Sequence, residues 1–150
     1  MMPLDERLAS AARMARHPAM RATDLEATLG TTYTVDTLER IRAAYSRHRF
    51  VWIMGADNLV QIPEWKNWTR IFGIVPVAVF ARPPYSSRAL SGVAARRFAR
   101  RRVPENRAQR LAQRIPPAWT FIHCRLHDAS ASAIRAGSVA SREAAFPAEA

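Results

Sequence analysis

Five apolar residues run without a break at Phe50, Val51, Trp52, Ile53 and Met54, and Gly55, Ala56 and Asp57 follow them. Such a run reads as a strand buried on both faces, the kind found in parallel sheets. Gly55 then lets the backbone turn sharply, which places Asp57 just past the strand's carboxyl end. In open α/β sheets ligands bind at that edge, because the loops there line the crevice between the helices. A carboxylate in that place can accept hydrogen bonds from ribose hydroxyls. The same residues suit a second reading, in which Asp57 caps a helix that begins near Asn58.

The flanking sequence alternates helical and strand patterns around this run. Leu4, Leu8, Ala11, Ala12 and Ala15 predict a helix over residues 4–16, with Asp5 and Glu6 in its first turn and Arg13, Arg16 and His17 in its last. Pro18 stops it. Residues 20–25 form a short candidate strand, and Gly30, Thr31 and Thr32 a turn. Thr34 has the character of an N-cap, with Thr37 three residues on, and opens a helix through Leu38, Ile41 and Tyr45. The run at residues 50–54 is then the central strand. A helical region over residues 58–72 is interrupted by Pro63, and residues 76–80 make the next apolar strand. Helices over residues 91–102 and 105–114, separated by Pro104, lead to a last strand at residues 119–124 and a short helix from Ser130 to Arg135. Strands alternating with helices predict an α/β fold with a parallel sheet. Residues 1–136 are expected to form one domain and residues 137–150 a frayed tail.

Composition narrows the class of protein. Hydrophobic content of 49% and charged content of 23% are those of a globular chain. No segment approaches the roughly 20 apolar residues that cross a bilayer, and Asp5 and Glu6 near the start do not resemble a secretory signal. Cys124 is the single cysteine, which leaves no internal disulfide and no cysteine-built zinc site among these 150 residues. The expected location is the cytoplasm, with no membrane partner. The formal charge is +11, and arginine supplies every basic residue but Lys66. Arg96, Arg97, Arg100, Arg101 and Arg102 are the densest cluster, with Phe98 inside it. This is read as a solvated helix face, with attraction of phosphates as the competing reading. No zinc-finger, RRM or KH signature accompanies the cluster, so nucleic acid is not the expected partner.

Three groups of residues could carry chemistry. Thr31 to Thr37 lie at a turn entering a helix, where exposed backbone N–H groups can hold a carboxylate or phosphate. Asp57 is accompanied by Trp65 and Trp68, either of which could stack on a flat aromatic ligand or pack in the core. Asp128, Ser130, Ser132 and Arg135 surround a helix start and could cradle phosphate, where an ordinary serine cap is the alternative.

Taken in order, these groups resemble the bacterial nicotinate mononucleotide adenylyltransferases, of the nucleotidyltransferase α/β superfamily. Pro3, Leu4, Glu6, Arg7 and Leu8 are similar to the family's Pro-Leu…Arg-Leu helix start. Thr32, Tyr33, Thr34, Thr37 and Leu38 are similar to its Tyr-Thr…Thr-Leu block, and the strand ending in Gly55-Ala56-Asp57 to its Gly-x-Asp strand. Pro63, Trp65, Trp68, Arg82, Pro83 and Tyr85 follow at family-like spacing. Ser130, Ala131, Ser132, Ala133, Ile134 and Arg135 resemble its Ser-Ser-Thr-x-Ile-Arg phosphate motif, with Ala131 in place of a serine and Ser132 in place of a threonine.

The resemblance implies a Rossmann-like nucleotidyltransferase fold and transfer of AMP from ATP to nicotinate mononucleotide, with Mg²⁺ on the triphosphate. It implies that Gly55 and Asp57 bind the ribose of the adenylate half. Ser130, Ser132 and Arg135 would contact the ATP phosphates. Tyr33 and Thr34 would hold the nicotinate end, with Trp65 stacked on the pyridine ring. The family opens with a strand and a Gly-x-Phe-x-Pro-x-His-x-Gly-His loop whose histidines stabilise charge on the transferring group. His17, His48, His123 and His127 do not reproduce that pair. The domain is therefore expected to be N-terminally truncated, with no catalytic residue and no protein metal ligand among those present. It is also expected to show little activity alone and a tendency to self-associate. Competing readings are an inactive relative that still binds a nucleotide or a partner, and a small basic nucleic-acid-binding protein.

Overall fold

In the computed structural model, which describes residues 3–124, the three apolar runs form a parallel sheet of β1 (Trp52–Gly55), β2 (Val77–Phe80) and β3 (Trp119–Ile122), in that order. Gly55 pairs with Phe80, and Phe80 with Ile122, so the three carboxyl ends are level. Parallel neighbours require a crossover rather than a hairpin. The first crossover contains α4 (Ala56–Gln61), a 3₁₀ turn at Ile62–Glu64 and α5 (Trp68–Ile74). The second contains α6 (Ser86–Leu90), α7 (Val93–Arg97) and a 3₁₀ helix at Glu105–Gln113. Three helices precede the sheet: α1 (Leu4–Met14), α2 (Leu25–Leu29) and α3 (Thr34–Ala44).

The two faces of the sheet are covered unequally. Val77, Val79, Trp119 and Phe121 face the main core with Leu38 of α3, Leu59 of α4, Phe72 of α5 and Ala94 of α7. Phe72 stacks on Phe98 at 4.3 Å between ring centroids, and Trp68 meets both rings edge-on. Trp119, 1% exposed, donates from Nε1 to the Phe98 carbonyl at 2.8 Å. On the opposite face Ala78, Val103, Leu111 and Ala118 form a smaller cluster beneath the 3₁₀ helix. Residues 102–105 run beside β3: Arg102 bridges to Trp119, Val103 N–H donates to the Trp119 carbonyl at 2.7 Å, and Thr120 Oγ1 donates to the Val103 carbonyl at 2.9 Å. That segment blunts one sheet edge.

The structure corrects several sequence expectations. The run at residues 50–54 is not the central strand and is not buried on both faces. β2 is central, while β1 forms the other edge among the described residues and leaves Ile53 64% exposed. The 3₁₀ helix packs on β2 and β3, so among the described residues Ile53 has no layer above it. Residues 20–25 are not a strand: they run irregularly into α2, with no paired neighbour among the described residues. Gly30 ends α2 at φ +60°, and the N–H groups of Gly30 and Thr31 close onto Ala27 and Glu26. Thr34 is the first helical residue rather than the cap, which falls on Tyr33. The hydroxyl that secures this turn belongs to Thr37, 2.6 Å from that of Thr31 and 3.2 Å from the Tyr33 carbonyl. The single helix expected over residues 91–102 is replaced by α6, which starts earlier, a break at Ser91 and Gly92, α7 and a 3₁₀ turn. Residues 105–113 are 3₁₀ rather than α-helical.

Candidate active site

Asp57 and Arg82 each stand two residues beyond the paired strand ends Gly55 and Phe80. Their side chains meet across the top of the sheet, Arg82 Nη1 donating to Asp57 Oδ2 at 2.9 Å. Asp57 is therefore not a cap. α4 begins at Ala56 with Gly55 as the preceding residue, and no side chain closes that helix start. The other carboxylate oxygen, Oδ1, is buried and has no donor among the described residues. Gly55 makes this arrangement possible. A Cβ placed there would lie 2.3 Å from Asp57 Oδ1, well inside van der Waals contact. Arg82 is itself held by a local turn, in which its backbone N–H donates to Ser86 Oγ at 3.2 Å.

A second feature is a cavity of about 280 Å³ lined by Thr32, Tyr33, Thr34, Glu64, Trp65 and Lys66. It joins two segments some thirty residues apart, the entrance of α3 and the turn before α5. Tyr33, Thr34 and Trp65, named from the sequence as one group, thus line one wall of space. Lys66 extends over the Tyr33 ring, with Nζ 4.3 Å from the centroid, and pairs with Asp36 at 3.1 Å. The first backbone N–H groups of α3 lie at this entrance, where a helix carries partial positive charge. Asn67, between the two tryptophans, adopts a left-handed conformation, φ 49°. Both tryptophans are half-buried and pack against the main core; Trp65 also lines the cavity, whereas Trp68 meets the rings of Phe72 and Phe98.

The end of β3 adds a third group. His123 N–H donates to Glu105 Oε1 at 2.7 Å, and the ring Nδ1 lies 2.8 Å from Oε2. The hydrogen bonds from the His123 ring and backbone hold the Glu105 carboxyl below its ordinary range. Cys124 is exposed, with Sγ 3.6 Å from the Ala81 carbonyl. Ser130, Ser132 and Arg135 lie outside the described residues. Among the described residues, no group of three or more His, Cys, Asp or Glu side chains could hold a metal ion, and no helix is long and apolar enough to cross a membrane.

Sequence reasoning singled out Asp57 but not the partner that orients it. The signal was present, since a basic residue directly after a buried apolar strand stands at the same sheet edge. Lys66 was missed for another reason. Its role depends on the approach of α3, which no local pattern carries. A hollow of about 530 Å³ between α1 and the loop after it is lined by Ala11, Met14, Ala15, Met20, Arg21 and Ala22, with Arg21 the one charged side chain in an otherwise apolar wall.

Residues 1–137 match the cytidylyltransferase-like family. A protein of Cereibacter sphaeroides named as a probable nicotinate-nucleotide adenylyltransferase is 46% identical over 134 residues, 89% of this chain and 71% of that protein. One of the same name from Bradyrhizobium sp. is 50% identical over 119 residues, 79% of this chain and 62% of that protein. A third, from Caulobacter sp., is 46% identical over 133 residues, 89% of this chain and 70% of that protein.

Proposed function

The chain belongs to the cytidylyltransferase-like family of nucleotidyltransferases, and from that premise we propose that it is a nicotinate-nucleotide adenylyltransferase, which joins the AMP of ATP to nicotinate mononucleotide and releases pyrophosphate. The observation that carries this reading is the cavity in which Tyr33, Thr34 and Trp65 converge from two separate segments, in a chain whose relatives bear that enzyme's name.

The pyridine ring stacks on Trp65 in this reading, and Tyr33 and Thr34 close the opposite side. The entrance of α3 supplies partial positive charge there, while the Lys66 ammonium is shared with Asp36 and Glu64 lines the same cavity. The α3 entrance favours a carboxylate over an uncharged carboxamide, and the relatives are named for the nicotinate nucleotide; both support nicotinate as the base. Asp57 accepts from the ribose of the adenylate half, Arg82 sets its orientation, and Gly55 leaves room for both. Ser130, Ser132 and Arg135 are assigned to the triphosphate on the sequence motif alone. ATP enters as its magnesium complex, with the metal on phosphate oxygens.

The mononucleotide phosphate oxygen attacks the α-phosphorus in line. A new P–O bond forms as the bond to the β-phosphate bridging oxygen breaks, and pyrophosphate departs. Such transfers depend on positioning and charge stabilisation rather than on a protein nucleophile. The test is binding of each mononucleotide by isothermal titration, beside pyrophosphate release with ATP. Tighter binding of nicotinate than of nicotinamide mononucleotide, with slow release of pyrophosphate, is the expected result, since the histidine pair of the family's opening loop is not among these residues. Equal affinity for both would remove the role given to the entrance of α3, and binding of neither would overturn the assignment.

A further inference from the structure

Three of the eight arginines in one cluster are brought to it only by the fold. The 3₁₀ helix at Glu105–Gln113 reverses the chain and brings Arg107 and Arg114 beside Arg100, Arg101 and Arg102, around one hollow of about 300 Å³. An adjoining hollow of about 430 Å³, sharing Arg100, Arg101 and Pro117 with the first, is walled by Arg96 and Arg97. A third, sharing Arg107 and Arg114, extends the surface to Arg110. The shared walls make one continuous groove. Arg102 pairs with Trp119, the first residue of β3, so the groove lies at the amino ends of the strands. Asp57 and Arg82 lie beyond the carboxyl ends, at the opposite end of the strands.

All eight of these arginines are exposed. Among the described residues none of them forms an ion pair. Glu105 is the only acidic residue over 93–124, and it is engaged by His123. Clustered guanidinium groups repel one another in the free protein and concentrate anions at the surface. Concavity and a multiplicity of donors suit a ligand with closely spaced phosphates. Phe98, the one aromatic inside the run, is stacked on Phe72 and offers no platform for a base.

We propose that this groove binds the phosphate backbone of nucleic acid without reading its sequence. The proposal is independent of the adenylyltransferase reading. A flat anionic membrane is the opposing possibility, to which only Ile115, 88% exposed at the rim, would be suited.

The experiment is fluorescence anisotropy with a labelled DNA duplex of arbitrary sequence across a salt series. Three proteins are compared: the wild type, Arg107→Glu/Arg114→Glu, and a charge-matched control, Arg7→Glu/Arg13→Glu in α1. The expected result is a steep negative dependence of log affinity on log salt, flattened by roughly two in the groove variant for its two lost phosphate contacts. The groove variant should also bind at least about tenfold more weakly, while keeping its thermal midpoint; the control should track the wild type. An equal loss in the control would show diffuse charge and overturn the proposal. An unchanged groove variant would do the same, as would tighter binding to phosphatidylglycerol vesicles than to the duplex.

Discussion

The Arg82 guanidinium lies 2.9 Å from the Asp57 carboxylate, joining residues that stand at matching positions beyond two adjacent parallel strands. The pair is partly exposed, so its contribution to stability is small, about 0–1 kcal/mol. Its value is orientation: it turns one carboxylate oxygen toward the guanidinium and leaves the other without a donor. Arg82→Gln should therefore raise KM for ATP several-fold while shifting the thermal midpoint little. Steady-state kinetics beside a thermal melt checks this. A large loss of stability with unchanged KM would make the pair structural.

Gly55→Ala tests the same corner from the backbone side. Gly55 sits at φ −81°, which alanine adopts without strain. The added methyl would nevertheless approach Asp57 Oδ1 to 2.3 Å, so the carboxylate must leave its place and its bond to Arg82. The variant is expected to fold, with a weakened affinity for ATP by isothermal titration. Affinity equal to wild type would show that the carboxylate is not used.

Trp65 should report on the mononucleotide. Its ring lines the cavity with Tyr33 and Thr34, so ligand stacking there should quench part of the tryptophan emission. Trp65→Ala should weaken nicotinate mononucleotide by roughly tenfold, since an aromatic platform contributes about 1–3 kcal/mol to a stacked base, and should weaken ATP far less. Equal losses for the two ligands would point to packing instead.

Trp119 carries the opposite expectation. It is buried, and its indole N–H satisfies the Phe98 carbonyl. Trp119→Phe keeps most of the apolar contact but strands that carbonyl and leaves a small void. Unfolding in urea should reveal a loss of about 2–4 kcal/mol, from the unpaired acceptor together with the lost contact. A loss below about 1 kcal/mol, the typical net value of one hydrogen bond, would mean that the loop at Phe98 relaxes freely.

Glu105 provides a test by pH. Its folded carboxyl is held low by His123, so the contribution of the pair is present above the ordinary glutamate range. It is lost as pH falls through the lowered folded value. The gap in urea midpoint between wild type and Glu105→Gln should be open near neutrality and should close in acid. A gap that widens in acid would reverse the sign of the linkage.

Local sequence was a good guide wherever a short apolar run had to be buried. The runs read as strands at residues 76–80 and 119–124 hold the strands Val77–Phe80 and Trp119–Ile122, buried along most of their length because a helical layer and the 3₁₀ helix cover them from both sides. It was a poorer guide where neighbours decide the outcome. Residues 20–25 lack a strand partner among the described residues, and Ile53 has the same character as Val79 yet meets no covering layer. Pro104 marked the end of one arginine-rich segment, but not the reversal that folds the next one back beside it.

The amino-acid sequence by itself determined the alternation of strands and helices, the parallel sheet, and the placement of Asp57 and Trp65 near turns. These follow from hydrophobic periodicity and from the breaks at glycine and proline, which act over a few residues. Only the tertiary structure decided that Asp57 would meet Arg82, that Tyr33 and Trp65 would share a cavity, and that Arg114 would join Arg100. Each of those pairs is separated by at least 14 residues in the chain. Its meeting is set by how the helices and the sheet bury their common core, because side chains at that separation find each other only once packing has fixed the path between them.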